Sequence, residues 1–170
     1  MKAGDGFVQG YNAQAVVDEA HQIIVAADVS NQSPDAEHFV PMLDRTIANC
    51  GAVPEKLSSD TGYFSAANVQ RASYRGVDAY VAIKRAKHGA TEPEEPYAKD
   101  DSSKEQMRAK LPTEQGAKIY SRRKVIVEPC FGQIKNRGFR GFLLRGLQKV
   151  RGEWSLITLT HNLSTRKNDF

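Results

Sequence analysis

Two short β-prone runs open the pattern of apolar and polar positions: Tyr11 to Val17 (Tyr-Asn-Ala-Gln-Ala-Val-Val) and Gln22 to Val29 (Gln-Ile-Ile-Val-Ala-Ala-Asp-Val). The polar Asp18-Glu19-Ala20-His21 separates them, which predicts an antiparallel hairpin whose second strand is the more buried. Ser33-Pro34-Asp35 then offers a capping hydroxyl, a proline at a first helical position and an acid in a first turn. Phe39, Val40, Leu43, Ile47 and Cys50 follow at helical spacing, and Gly51 with Pro54 closes the run, so a helix is predicted from Pro34 to Asn49.

Lys56 to Asp60 reads as a short strand, Thr61-Gly62-Tyr63-Phe64 as a turn, and Ser65 as the N-cap of a helix reaching about Arg75. Asp78 to Ile83 supplies a further strand. The charged stretch from Lys84 to Gln115, with Pro93, Pro96 and Pro112, is expected to be a solvated insertion of about residues 84–117 with fragmentary helix at most, and the least ordered part of the chain. Lys118 to Lys135 and Trp154 to Leu163 read as helices, separated by the glycine-punctuated basic segment Asn136 to Gly152. This order of elements implies an α/β domain, a mixed sheet with helices packed on it.

Composition narrows the reading. A chain of 170 residues, 40% hydrophobic and 26% charged, suits one globular domain over 1–170. The net charge of +4 is unevenly placed: Tyr120 to Arg151 holds nine Lys or Arg and a single acid, Glu128. Such asymmetry points to a basic face for DNA or RNA, with a solvated surface as the plainer alternative. Cys50 and Cys130 are far apart and in no CxxC pair, which argues against a disulfide framework or a zinc site and fits a reducing cytoplasm. No apolar run approaches the ~20 residues needed to span a bilayer, and Met1 to Gly10 lacks a secretory core.

Glu128 is the centre of the candidate chemistry. A carboxylate among Arg122, Arg123, Lys124 and Lys135 stays ionised, because neighbouring opposite charges favour its charged form, and it can ligate a divalent metal beside a polyanion. Its plainer role is an ion pair with Lys124 at helical spacing. Asp60 ends a strand, where α/β folds often place ligands, and its plainer role is to start a turn. Metal-assisted phosphoryl transfer needs several such carboxylates converging on ions about 4 Å apart. Tyr63, Phe64, Phe139, Phe142 and Trp154 are expected to pack rather than stack on bases. His21, His38, His88 and His161 show no ligand spacing.

Blocks of sequence resemble the DDE transposases of bacterial insertion sequences. They are Gly10-Tyr11-Asn12-Ala13-Gln14 with Val17-Asp18, Asp60-Thr61-Gly62-Tyr63-Phe64, Glu128-Pro129 with Phe131-Gly132-Gln133-Ile134-Lys135, Arg145-Gly146-Leu147, and His161-Asn162-Leu163. The resemblance implies a ribonuclease-H-like mixed sheet flanked by helices, and catalytic, metal-binding roles for Asp60 and Glu128 with Mg²⁺ (or Mn²⁺). It implies phosphate contacts from Tyr120, Arg123 and Lys135. The family's Tyr, Arg, Glu, Lys signature has one extra residue here between Arg123 and Glu128. On a regular helix Lys135 lies about 20° and Lys124 about 40° from Glu128, but Arg123 about 140°, so Lys124 is a candidate for the contact assigned to Arg. Pro129 fits either a kinked helix or a helix that begins there with Glu128 as cap. The basic segment adds Arg137, Arg140 and Arg145 as DNA contacts.

The resemblance also implies a first strand ending in a catalytic Asp ahead of Tyr11, but only ten residues precede that point. Asp5 has no strand before it, and Asp18 and Asp28 end the wrong strands. The expectation is therefore a partial catalytic domain acting in DNA transposition by strand cleavage and transfer, inactive alone. The alternative is a non-catalytic DNA-binding remnant that inhibits a full-length enzyme by mixed assembly, and a third is a structure-selective nuclease. Expected partners are transposon ends, target DNA, and a second copy or full-length transposase, in the cytoplasm at the nucleoid.

Overall fold

A computed structural model describes residues 2–3, 6–7, 10–83 and 102–166. The expected hairpin forms from β3 (Asn12–Val17) and β4 (Ile24–Ser30), paired antiparallel from Asn12 opposite Ser30 to Val17 opposite Ile24. Asp18 builds its turn: Oδ2 accepts the N–H groups of Ala20 (3.1 Å) and His21 (3.0 Å), and Oδ1 that of Ile23 (2.6 Å). A short carboxylate that satisfies loop donors in this way replaces the ladder bonds the turn interrupts. Ahead of the hairpin, β1 (Lys2–Ala3) and β2 (Gly6–Phe7) pair, among the described residues, only with each other. A two-residue strand thus does precede Asp5, contrary to the expectation from sequence.

The helix expected from Pro34 begins later. Asp35–His38 is a 3₁₀ turn, and α1 runs Phe39–Cys50. Pro34 is extended (φ −75°, ψ 113°) and no side chain caps the turn. Pro41 falls in the first turn of α1, where its missing N–H costs nothing. Gly51 ends α1 as predicted, left-handed at φ +66° with its N–H on Ile47 O at 2.9 Å.

Strand β5 (Lys56–Ser59) leads through a 3₁₀ turn at Thr61–Tyr63 to α2 (Ala66–Tyr74), capped by Ser65 Oγ on Asn68 N (3.1 Å). Strand β6 (Asp78–Val81) pairs parallel to β5. Residues 84–101 of the expected insertion lie outside the described residues. Its remainder is more ordered than expected: α3 (Ser102–Lys110) packs on α2 and β6 with Met107 buried. Helix α4 (Glu114–Asn136) is continuous through Pro129, so Glu128 lies inside it and does not cap a new one. Helix α5 (Leu147–Arg166) starts well before Trp154.

Among the described residues β3–β4 and β5–β6 stand as separate pairs rather than as parts of the expected single mixed sheet. Each has its own apolar cluster. One joins Phe39, Leu43, Ala72, Val77, Ala79 and Val81 against β5 and β6; the other joins Ile24, Val29, Ile134, Val150 and Trp154 against β3 and β4. Trp154 sits among Phe131, Phe139 and Phe142 and donates its indole N–H to Gln14 O at 3.0 Å, so Phe139, Phe142 and Trp154 pack as expected.

Side chains close the free edge of β4. Asn162 holds both the N–H (2.8 Å) and the carbonyl (2.9 Å) of Ile24, while Asn49, Arg45 and Arg151 donate to the carbonyls of Val25 (2.8 Å), Ala27 (2.9 Å) and Val29 (3.1 Å). Edge groups satisfied in this way cannot template another strand.

Candidate functional site

A cavity of about 540 Å³ lies between the two strand pairs. Strand β3 lines one side and β5 with Asp60 and Tyr63 the other. Helix α1 contributes Phe39, Met42, Leu43 and Thr46, and α4 contributes Ile119, Arg123, Ile126, Val127 and Phe131.

A polar cluster closes the end of this cavity where β5 stops and β3 starts. Asp60 Oδ1 accepts the N–H of Gly62 at 3.0 Å, so the turn-starting role of this Asp is real. Asp35 Oδ1 accepts from Asn12 Nδ2 (2.7 Å) and Gln14 Nε2 (3.1 Å), and Tyr63 donates its hydroxyl to Gln14 Oε1. The Asp35 and Asp60 carboxylates converge: a Cβ on Gly62 would lie 2.7 Å from Asp35 Oδ2 and 3.3 Å from Asp60 Oδ1. Burial first, then the charges of Asp35 and Asp60, push the Tyr63 hydroxyl far above its usual range, so it is a hydrogen-bond donor at all ordinary pH. The sequence offers Asp35 only as a helix-start signal, and its place beside Asp60 is a long-range contact with no local trace.

Glu128 is exposed on α4 and is not among the residues lining the cavity. Lys124 and Lys135 are exposed too, and helical spacing puts both near Glu128. No ion pair joins Lys124 to Glu128 among the described residues. Arg123 turns the other way. Its Nε is buried without a hydrogen-bond partner, and its guanidinium lies 5.4 Å from the centre of the half-buried Tyr120 ring. The residue after Arg123 therefore shares the face of Glu128, while Arg123 faces the cavity.

Arg137, Arg140 and Arg145 are exposed in or beside the segment between α4 and α5. That segment is pinned from behind. Glu153 accepts the N–H groups of Leu143 and Leu144 (2.9 Å each), the Tyr11 hydroxyl accepts that of Gly146 (2.9 Å), and Phe139 and Phe142 pack on Trp154. Anchored backbone with cations pointing outward is suited to a regular polyanion such as a phosphate backbone.

The metal expectation meets a mismatch. Among the described residues no group of three or more His, Cys, Asp or Glu is placed to hold an ion, and only Asp35 and Asp60 converge. Asp18 and Asp28 are engaged elsewhere, Asp18 in the hairpin turn and Asp28 with Arg45 (3.0 Å) and Arg151 (2.9 Å). These residues do not complete a two-ion site.

Helices packed on small sheets, a strand-end carboxylate and an outward basic segment define a mixed α/β domain. The sequence model of the transposase DDE domain matches residues 1–163, and the chain belongs to that family. Comparison with curated proteins and with solved structures yields no match. No helix among the described residues is long and apolar enough to cross a membrane.

Proposed function

We propose that this domain serves DNA transposition on a ribonuclease-H-like plan, with β3–β4 and β5–β6 as two parts of one mixed sheet. Membership of the transposase DDE family carries the reading, because it covers nearly the whole chain. Asp60 and Glu128 are the catalytic carboxylates, and Mg²⁺ or Mn²⁺ is the metal they would share with a third acid. Lys124 and Lys135 hold backbone phosphate beside Glu128, supported by their common exposed face. Tyr120 and Arg123 shape the inner side of α4, while Arg137, Arg140 and Arg145 carry the flanking duplex. The DNA partners are transposon ends and target DNA.

A second reading has its own support. Asp60 borders the cavity whereas Glu128 stands on the exposed face of α4, an arrangement that supports a DNA-binding remnant that does not cut and that inhibits a full-length transposase by mixed assembly. Supercoiled plasmid incubated with the chain and Mg²⁺ or Mn²⁺ separates the two. Nicking that disappears in both Asp60→Ala and Glu128→Ala, with DNA binding retained, supports the catalytic reading. Binding without metal-dependent nicking supports the remnant, and no DNA binding at all rejects both.

A further inference from the structure

The segment between α4 and α5 holds two leucines out in water: Leu143 is 90% exposed and Leu144 46%. In a loose loop such side chains would turn back against the protein, but this backbone lacks that freedom. Both leucine N–H groups end on the single carboxylate of Glu153, at 2.9 Å each. Successive N–H groups of an extended chain point to opposite sides, so two of them share one acceptor only where the chain bends. The inner side of that bend faces α5, and the Leu143 side chain is on the outside.

The segment is fixed again at both ends. Gly138 donates its N–H to Lys135 O (3.0 Å) and Gly146 donates to the Tyr11 hydroxyl (2.9 Å), while Phe139 and Phe142 between them lie on Trp154. The two glycines turn the chain at φ +103° and +87°, values that other residues rarely adopt. The product is a stiff prong with an apolar tip.

The charges beside the tip say what it meets. Arg140 and Arg145 flank the leucines and are exposed, and Arg140 is steadied by donating to Lys135 O at 2.5 Å. Glu153, the acid behind the tip, has both oxygens engaged by backbone N–H groups. Five residues of chain place the two arginine Cα atoms no more than about 17 Å apart. Their long side chains can therefore reach phosphates on both sides of a minor groove about 6 Å wide, with the leucines over its floor.

We propose that Leu143, backed by Leu144, is a wedge that enters the minor groove of duplex DNA and parts neighbouring base pairs, kinking a duplex held by Arg140 and Arg145. The wedge rests on the DNA-binding reading above and does not require that DNA be cut. Rigidity is what the role demands, because a wedge that folds back on its own protein unstacks nothing.

Unstacking costs least where a pair is already mismatched, which supplies the test. The whole chain is titrated into two duplexes of about 20 base pairs, one fully paired and one with two adjacent central mismatches, followed by fluorescence anisotropy. Dyes at the two ends of the paired duplex report bending by energy transfer. The unaltered chain should prefer the mismatched duplex at least about tenfold and raise the energy transfer of the paired one. Leu143→Ala combined with Leu144→Ala should bring the preference below about twofold and remove the rise in transfer, while the salt dependence, which counts phosphates, stays. If the double variant loses its circular dichroism spectrum, Leu143→Ala alone decides, since a side chain 90% exposed has little packing to lose. DNA binding with neither preference nor bending overturns the wedge and leaves the DNA reading standing, as does a variant that discriminates and bends like the unaltered chain. A variant that only turns a self-associating chain into a monomer makes the leucines a protein contact and also overturns it. No DNA binding at all removes both readings together.

Discussion

The Gln22 side chain donates to the carbonyl of Val125 at 3.2 Å. That carbonyl lies four residues before Pro129, which has no N–H to offer it, so the hairpin loop repairs the gap that proline opens in α4. The Gln22 carbonyl in turn accepts from Cys130 Sγ (3.4 Å) and stands 3.0 Å from His161 Nε2, tying the loop to α4 and α5. Gln22 holds this post at φ +57°, a left-handed conformation rare outside glycine.

Gln22→Ala should therefore cost about 0.5–1 kcal/mol in urea unfolding, since it strips one half-exposed hydrogen bond and leaves the φ strain unchanged. In a Pro129→Ala background the new N–H bonds Val125 directly. The loss from Gln22→Ala should then shrink to near zero, and equal losses in the two backgrounds would break the proposed coupling.

Gly62→Ala tests the convergence of carboxylates. The added methyl meets Asp35 Oδ2 at 2.7 Å, on a carboxylate already held by Asn12 and Gln14. A loss of about 1–3 kcal/mol is expected by thermal unfolding. Combining it with Asp35→Ala removes the clash, so the second change should add less than it costs alone.

The two cysteines should differ sharply. Cys50 is exposed, whereas Cys130 is buried and donates to Gln22 O and Ile126 O. Burial, and then the charge of Asp18, pushes the Cys130 thiol up to about 11, so it stays protonated at neutral and mildly alkaline pH. A disulfide reagent at pH 8 should titrate one thiol quickly and the second only as denaturant unfolds the chain. Two fast equivalents would contradict the burial.

DNA binding should carry a salt signature that maps to the basic segment. Replacing Lys135, Arg137, Arg140 or Arg145 by alanine should each lower the slope of log affinity against log salt by about 0.9 for every phosphate left without its cation. Arg122 is already paired with Glu19 at 2.5 Å, so Arg122→Ala should change the slope little. Fluorescence anisotropy with a random duplex between about 50 and 200 mM salt gives the comparison.

Much of the fold is legible in the sequence because its causes are local. Gly51 ends α1, Ser65 caps α2, and the polar run after Val17 turns the hairpin, each through groups a few residues apart. The family blocks locate Asp60 and Glu128 on their elements. What the sequence hides is long-range. Nothing near Asp35 announces that it meets Asp60, and α3 hides a buried Met107 inside a charge-rich stretch. The split sheet is hidden for the same reason, because strand order depends on which edges meet.

The side chains along β4 give the domain a directional character. Fibrous assembly by strand pairing needs every newcomer to expose a fresh edge to the next. Outward from β4, four residues drawn from two helices already occupy that place, Arg45 and Asn49 of α1 with Arg151 and Asn162 of α5. Polymerisation has no foothold on that flank, so a stack of strands that reached the domain from elsewhere would stop at β4.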